Sequence, residues 1–215
     1  MHNKKIAAAV ATAITSALAA VYPAAECSLS YEGEPWKLLV MAILSAQCTD
    51  KRVNIIAAEL FILYPTPEAI ANCELAELED AIKSCGLYKS KAKNINASCA
   101  LLVEKHNSVV PDTMEELLAL PGVGRKIANL ILGDIYKKPA IVTDTHCIRI
   151  SKRLGLCGER EKTPLAIEKR LAELIEPAEQ SDFCHRLVLF GREYCTARSP
   201  RCAVCPLAEL CERNL

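Results

Sequence analysis

A short run between two segments of helical periodicity reads Leu120-Pro121-Gly122-Val123-Gly124-Arg125-Lys126. Gly122 and Gly124 permit backbone angles that other residues resist, and they let backbone N–H groups approach a ligand without an intervening Cβ. The run leads into a helix N-terminus, where unpaired N–H groups and the helix dipole attract an anion such as phosphate. The spacing therefore predicts either a phosphate-binding hairpin between two helices or an ordinary tight turn. It is not a P-loop, because Lys126 stands at the wrong distance from Gly122.

Lys126 falls in the first turn of the second helix of this hairpin. The positive end of the dipole and the neighbouring Arg125 both disfavour its ammonium form. A neutral amine is a nucleophile capable of Schiff-base chemistry. The alternative is a solvated lysine that contacts a phosphate or nothing.

The remainder of the chain also has helical periodicity, and no segment alternates as a strand does. Thr113 with Glu116 forms a capping box, and Gly86, Gly155 and Gly191 follow helical segments as C-terminal stops. One expected helix begins at Pro35, and the next begins at Asp50 and stops before Pro65. A short helix is expected after Thr66-Pro67 and another after Thr113. The other expected helices cover 75–85, 90–105, 125–136, 145–154, 164–175 and 182–190. The predicted fold class is all-α, with about ten helices joined by short loops.

Composition excludes several broad classes of protein. The chain has 215 residues, of which 51% are hydrophobic and 24% charged, so it is neither disordered nor in need of disulfide support. Lys plus Arg and Asp plus Glu number 26 each, so the net charge is zero and any basic surface must be local.

The chain contains 12 cysteines, so it matters whether the protein resides in an oxidising or a reducing compartment. Lys4 and Lys5 precede a run over 6–20 that has the outline of a signal peptide. That run is rich in Ala, contains Thr and Ser, and is too short to span a membrane, so we expect an Ala-rich helix that packs on the domain. Eight cysteines are scattered singly, several of them in apolar patterns, which indicates free thiols in a reducing compartment. We expect a cytoplasmic protein without a membrane partner.

The other four cysteines form a C-terminal run with the spacing Cys-x6-Cys-x2-Cys-x5-Cys: Cys195, Cys202, Cys205 and Cys211. Four thiolates can hold a cubane iron–sulfur cluster or one zinc ion, and disulfides are a third option. Structural zinc usually uses two Cys-x2-Cys pairs, and only one is present, so the longer loops favour the bulkier cluster. Arg198 and Arg201 lie in the first loop and form either a cationic patch or solvated charges.

The hairpin, Lys126, the later Val142-Thr143-Asp144-Thr145-His146 and the four cysteines occur in an order that closely resembles the endonuclease III family of helix–hairpin–helix DNA glycosylases. The segments 44–50 and 86–88 are also similar to family segments. The resemblance covers about residues 35–211.

This resemblance implies two helical domains with a DNA-binding cleft between them. A six-helix domain over 28–138 contains the hairpin. The segments 1–27 and 139–215 form the other domain, which carries a 4Fe–4S cluster on the four cysteines. The implied partner is double-stranded DNA with a damaged base or an abasic site, bound by a monomer.

The resemblance also implies roles for individual residues. Lys126 attacks C1′ of the damaged nucleotide, and Asp144 stabilises the cationic sugar, although Asp144 can equally be a plain helix cap. Gln47 fills the gap left by the flipped base, and Leu87 is wedged near the opposite base; otherwise they are a surface glutamine and a core leucine. The further implied DNA contacts are Gly122, Val123, Gly124, Arg125, His146, Arg198 and Arg201.

The implied activity is base-excision repair of oxidised pyrimidines, with strand cleavage by β-elimination. The alternatives are an adenine-mismatch glycosylase relative, a monofunctional glycosylase and a non-catalytic DNA-binding protein. Lys126 argues against the first two, and a chain that stops four residues after Cys211 argues against the first.

Overall fold

A computed structural model describes the backbone of residues 2–213 and the side chains of residues 7–213. Within 2–213 the regular secondary structure is helical, which confirms the all-α prediction. The eleven α-helices of this part of the chain are α1 His2–Val21, α2 Pro35–Leu44, α3 Asp50–Leu63, α4 Pro67–Ala71, α5 Leu75–Ala81, α6 Tyr88–His106, α7 Met114–Ala119, α8 Arg125–Asp134, α9 Thr145–Arg153, α10 Pro164–Leu174 and α11 Gln180–Glu193. Short 3₁₀ turns occupy Lys83–Cys85, Pro177–Glu179 and Cys202–Val204.

The chain divides into two compact units. The first, Cys27–Tyr136, is named the hairpin unit here, and the second, Met1–Glu26 with Lys137–Leu215, the terminal unit. The hairpin unit contains α2 to α8, which are seven helical segments where the family resemblance implies six.

The core of the hairpin unit is built around α2 and α6. Every residue of α2 from Leu38 to Leu44 is buried, and α2 contacts α3, α6 and α8. A helix that is apolar on all sides must be surrounded by other elements. The helix α6 buries Ala92, Ile95 and Cys99 at spacings of three and four residues, so that one face of this helix packs inward.

Local signals set most of the helix starts. Thr49, Thr66, Thr113 and Thr163 each accept a hydrogen bond from the backbone N–H of the third residue that follows. The hydroxyl thereby pairs one of the N–H groups that a helix leaves unsatisfied at its start. The Thr113 hydroxyl also contacts the Glu116 carboxylate at 2.6 Å, so the predicted capping pair is present.

In the terminal unit the Ala-rich α1 packs against α10 and α11. Ala11, Ile14, Thr15 and Leu18 are buried at helical spacing, which confirms the expected packing helix. Among the described residues, we find no helix with both the length and the apolar character needed to cross a membrane.

Two expected helix ends were wrong. Gly191 does not stop a helix, because α11 continues to Glu193. A Cβ on Gly191 would lie 2.3 Å from Nδ1 of His146, so glycine is required there for the close approach of α9 and α11. The segment expected to be helical from Leu75 to Cys85 is α5 followed by a 3₁₀ turn, although Gly86 does end it with a φ of +65°.

Candidate active site and metal centre

The hairpin between α7 and α8 packs closely against α6 of the same unit. Gly122 has a φ of +79°, and a Cβ on it would lie 2.9 Å from Cβ of Asn94 on α6. The hydroxyl of Ser98, one turn further along α6, donates to the carbonyl of Pro121 at 2.7 Å. The Val123 side chain is buried. Both backbone conformation and packing therefore require a glycine at position 122.

Gly124 differs from Gly122 in its backbone conformation. Its φ is −100° and its ψ 177°, an extended conformation open to any residue. A Cβ on Gly124 would meet no described atom within 4 Å. Neither the backbone nor the packing of the described residues requires glycine there.

Lys126 is exposed in the first turn of α8, beside the half-buried Arg125. The N-cap of α8 is Gly124, which has no side chain to pair the first N–H groups of the helix. An exposed lysine therefore stands at a helix start that its own N-cap does not close. This arrangement can present an amine and backbone donors to an anionic ligand.

Gln47 and Leu87 both adopt left-handed backbone angles, with φ of +52° and +49°. Both side chains are exposed, and Leu87 retains 57% of its accessible surface. Leu87 is therefore not a core residue. Such angles cost a residue with a Cβ about 1–3 kcal/mol and concentrate at functional sites.

In the terminal unit, Asp144 is the N-cap of α9. Its Oδ1 accepts a hydrogen bond from the backbone N–H of Cys147 at 2.7 Å. The side chain is half-buried and follows the buried residues 141–143. The capping role predicted from the sequence is present, and the carboxylate is held by the helix that it caps.

His146 is half-buried between α9 and α11. Its Nδ1 lies 3.2 Å from a guanidinium nitrogen of Arg149 and faces Gly191 closely enough to exclude any larger residue there. This environment agrees with a structural role for His146 as well as with a role at the rim of a site.

The four C-terminal cysteines are half-buried, and all twelve cysteines, each within the described part of the chain, are free thiols. One pocket, with an empty volume of about 360 Å³ that includes solvent at its mouth, is lined by all four. Its other lining residues are Arg153, Leu154, Phe190, Tyr194, Pro200, Arg201 and Arg213. The loop therefore brings together thiols that lie up to 16 positions apart in the sequence.

The donor set fits an iron–sulfur cluster. Burial, and after it the repulsion of Cys211, Cys195 and Cys202, raises the pKa of the Cys205 thiol, so the four sulfurs act on one another. A cationic metal group relieves that repulsion. Within the described residues, no three His, Cys, Asp or Glu side chains converge closely enough to hold one metal ion. Thiols that share a pocket without converging on a point suit a cluster wider than one ion.

Two arginines of α9 hold the start of this loop, and the sequence analysis did not find them. Arg149 donates to the carbonyl of Cys195 at 2.9 Å. Arg153, one turn later, donates to the sulfur of Cys195 at 3.4 Å and to the carbonyls of Thr196 and Ala197. The i, i+4 spacing places both on one helix face, but the sequence does not indicate what that face contacts.

The arginines predicted in the loop are both exposed. The guanidinium of Arg201 lies 5.8 Å from the ring centroid of Tyr194, and its backbone N–H donates to the carbonyl of Tyr194. The loop thus presents cationic groups at the surface of a protein without net charge.

Comparison with protein families gives two matches. Residues 40–177 match the HhH-GPD superfamily of base excision DNA repair proteins. Residues 195–211 match the iron–sulfur binding domain of endonuclease III. The second match confirms the 4Fe–4S assignment over zinc and disulfides.

Individual relatives cover most of the chain. Endonuclease III of Synechocystis is 46% identical over 94% of this chain and 91% of its own length, and that of Bacillus subtilis is 45% identical over 90% and 88%. A solved non-covalent complex of an endonuclease III with DNA has a TM-score of 0.89 and 44% identity, covering 94% of each chain. These matches favour the catalytic interpretation over the mismatch-glycosylase, monofunctional and non-catalytic alternatives. Family, sequence and structure together show that the chain belongs to the endonuclease III family within the HhH-GPD superfamily of base excision DNA repair proteins.

Proposed function

We propose that this DNA glycosylase and abasic-site lyase removes oxidised pyrimidines from duplex DNA and cuts the strand through a Schiff base on Lys126. DNA is its partner, as the relatives and the solved complexes indicate. The observation that carries the proposal is the exposed amine of Lys126 at a helix start that Gly124 leaves without a capping side chain.

The chemistry uses the lone pair of the amine at that position. The Nζ lone pair of Lys126 attacks C1′ of the damaged nucleotide, and the bond from C1′ to the base breaks, so the base departs with the bonding electrons. Loss of a proton from Nζ and opening of the sugar ring give the protonated Schiff base. That cation acidifies the C2′ proton, and β-elimination breaks the C3′–O bond.

Asp144 acts on the same reaction by electrostatics. Its carboxylate is fixed by the N–H of Cys147 at 2.7 Å, so its charge is oriented before substrate binds. A fixed negative charge stabilises the positive charge that develops on the sugar as the base leaves. We assign this role to Asp144 in addition to the cap.

The hairpin and the two left-handed positions serve DNA binding. Gly122, Val123, Gly124 and Arg125 form the phosphate-binding hairpin, where backbone N–H groups meet the ligand without a Cβ at position 124. Gln47 and Leu87 then enter the base stack, one in the gap and the other beside the opposite base. Their exposure and their strained backbone angles both support this assignment.

The cluster is held by Cys195, Cys202, Cys205 and Cys211. When bound, it supplies four metal–thiolate links that stabilise the loop in one conformation. Arg198 and Arg201 on that loop, with His146 nearby on α9, then meet DNA phosphates. We further propose that the protein acts as a monomer in the cytoplasm, where a reducing environment keeps its remaining thiols free.

The Schiff base can be tested by borohydride trapping on duplex DNA with an abasic site. We expect a covalent adduct with the wild-type protein and a loss of at least about 10³-fold in trapping rate with Lys126→Gln, because the substituted amide is not a nucleophile. Lys105→Gln, which changes an exposed lysine at the far end of α6, is the matched control and should trap normally. Equal adduct yield from Lys126→Gln would refute the assigned nucleophile.

Substrate range needs a separate experiment. Duplexes with thymine glycol, uracil and mismatched adenine distinguish an oxidised-pyrimidine glycosylase from its relatives. We expect base release from thymine glycol alone. Release of mismatched adenine would contradict the proposed specificity without affecting the trapping result.

A further inference from the structure

Two thiols in the hairpin unit lie close together although they are 37 positions apart. Sγ of Cys48 and Sγ of Cys85 are separated by 3.7 Å. Cys48 follows α2, and Cys85 ends the 3₁₀ turn that packs against α3. A disulfide has an S–S length of about 2.05 Å, so the sulfurs need to approach by only about 1.7 Å.

The thiol pair is relevant to function because it lies close in sequence to Gln47 and Leu87, the two residues with left-handed backbone angles. Cys48 directly follows Gln47, and Cys85 lies two residues before Leu87. Gln47 and Leu87 are the exposed left-handed residues assigned above to the DNA base stack. A bond between Cys48 and Cys85 would therefore join the two loops that carry both inserted side chains.

The two thiols differ in access. Cys85 retains only 3% of its surface, whereas Cys48 is half-buried and within reach of solvent. Burial and then the neighbouring thiol raise the pKa of Cys85 to about 11, which keeps it protonated. Cys48 is therefore the sulfur that a reagent from solvent meets first, and Cys85 is positioned to resolve the product.

The backbone of Cys85 is held at two groups, whereas that of Cys48 is held at its N–H, which donates to the carbonyl of Ser45 at 3.1 Å. The carbonyl of Cys85 accepts a hydrogen bond at 2.9 Å from the amine of Lys91, a lysine that is 3% exposed. The N–H of Cys85 is bonded to Ile82 at 2.9 Å. Because Cys85 is held at both groups and Cys48 at one, we expect closure of the pair to draw in the loop of Cys48, and Gln47 with it, more than the loop of Cys85.

We propose that Cys48 and Cys85 form a reversible disulfide which shifts Gln47 relative to Leu87, away from the arrangement that DNA requires. The oxidant is a small-molecule disulfide of the glutathione type. The thiolate of Cys48 attacks one of its sulfurs, the S–S bond breaks, and one small thiol leaves. The sulfur of Cys85 then gives up its proton and attacks Sγ of Cys48, the mixed disulfide breaks, and the second small thiol leaves. Two protein thiols are oxidised, and one small disulfide is reduced to two thiols.

The functional part of this inference rests on the proposed DNA contacts, whereas the disulfide itself does not. A misplacement of about 1 Å at an active site can cost on the order of 10²-fold in rate, and closure of the pair requires the two sulfurs to approach by about 1.7 Å. We therefore expect at least about a tenfold slower formation of the trapped adduct on abasic DNA after oxidation, and recovery on reduction.

The test uses the cluster-loaded protein, treated with glutathione disulfide, alkylated and digested with trypsin without reduction. Trypsin releases Cys48 in the peptide Leu38–Lys51 and Cys85 in Ser84–Lys89, each with a single cysteine. We expect these two peptides as one cross-linked species. Cys147 and Cys184, which are buried at 0% and 4% exposure, should stay reduced and serve as an internal control. Unchanged absorbance at about 400 nm shows that the cluster is intact.

Variants separate the possible results. Cys85→Ala should retain one glutathione on Cys48, and Cys48→Ala should be insensitive in trapping rate, whereas Cys73→Ala, which removes another half-buried thiol of the unit, should behave as wild type. A wild-type protein that stops at the mixed disulfide would overturn the cross-link. A cross-link with an unchanged trapping rate would overturn the coupling to DNA. Failure of the reduced protein to trap at all would instead count against the proposed function.

Discussion

Two helix N-termini carry the proposed chemistry, and they are built in opposite ways. α8 begins after Gly124, which provides no capping side chain, and exposes Lys126 in its first turn. α9 begins after Asp144, whose carboxylate pairs with the N–H of Cys147 at 2.7 Å. The same local structure therefore serves two purposes. An N-terminus without a side-chain cap offers its donors to a ligand, whereas a capped one uses its donors to fix a charge.

Among the variants that test this comparison, the largest expected effect comes from removing the charge at the capped N-terminus while the cap remains. Asn caps helices about as well as Asp does, so Asp144→Asn should leave the melting temperature nearly unchanged. We expect base release to fall on the order of 10²–10³-fold, because the developing sugar cation loses its fixed partner. Single-turnover kinetics and thermal unfolding measure the two quantities.

Asp144→Ala is the matched variant for the same position. It loses both the charge and the cap, so the free energy of unfolding should fall by about 1 kcal/mol in addition to the loss of activity. If Asp144→Asn kept full activity, Asp144 would act only as a helix cap. The difference between the two N-termini would then have no bearing on catalysis.

The next effect separates the two glycines of the hairpin. Gly122→Ala places a side chain at a φ of +79° and 2.9 Å from Asn94, so we expect a loss of about 1–3 kcal/mol in stability. Gly124→Ala meets an extended backbone and open space, so its stability should change little. Denaturant unfolding of the two variants compares them directly.

The DNA affinity of the same variants should not follow their stability. Gly124→Ala places a methyl group where the proposed phosphate approaches, so it should bind duplex DNA more weakly while it stays folded. Equal destabilisation of both variants would contradict the different conformations of the two glycines.

The limits of sequence reasoning are visible at particular residues. Thr113 caps a helix as predicted, because a cap is a contact over three residues that the sequence displays directly. Gly191 was misjudged because its reason lies in His146, 45 positions away on another helix. Rules that use only the residues next to a glycine in the sequence cannot predict such a tertiary contact.

The candidate site also has parts that the sequence predicts and parts that it does not. The hairpin, the cap of Asp144 and the four-cysteine loop are each continuous or nearly continuous in sequence, so their spacing was informative. By contrast, two other features depend on tertiary packing. They are the hydrogen bond from Arg153 to the sulfur of Cys195 and the short distance between the sulfurs of Cys48 and Cys85. No periodicity or spacing identifies such partners.

The smallest effect addresses the comparison most directly, because it gives α8 the kind of cap that α9 has. Gly124→Asp keeps an allowed backbone and should stabilise the fold by only a few tenths of a kcal/mol, roughly the difference between Gly and Asp as an N-cap. The new carboxylate would compete with a phosphate for the same N–H groups and repel it, so we expect DNA affinity to fall about tenfold, or about 1.4 kcal/mol. Gly124→Asn supplies a cap without charge and should lose less affinity. Titration of both variants on an abasic-site duplex at two salt concentrations measures the difference. Retention of wild-type affinity by Gly124→Asp would mean that the N-terminus of α8 does not receive a phosphate, and Lys126 would then act without a binding site at its own helix start.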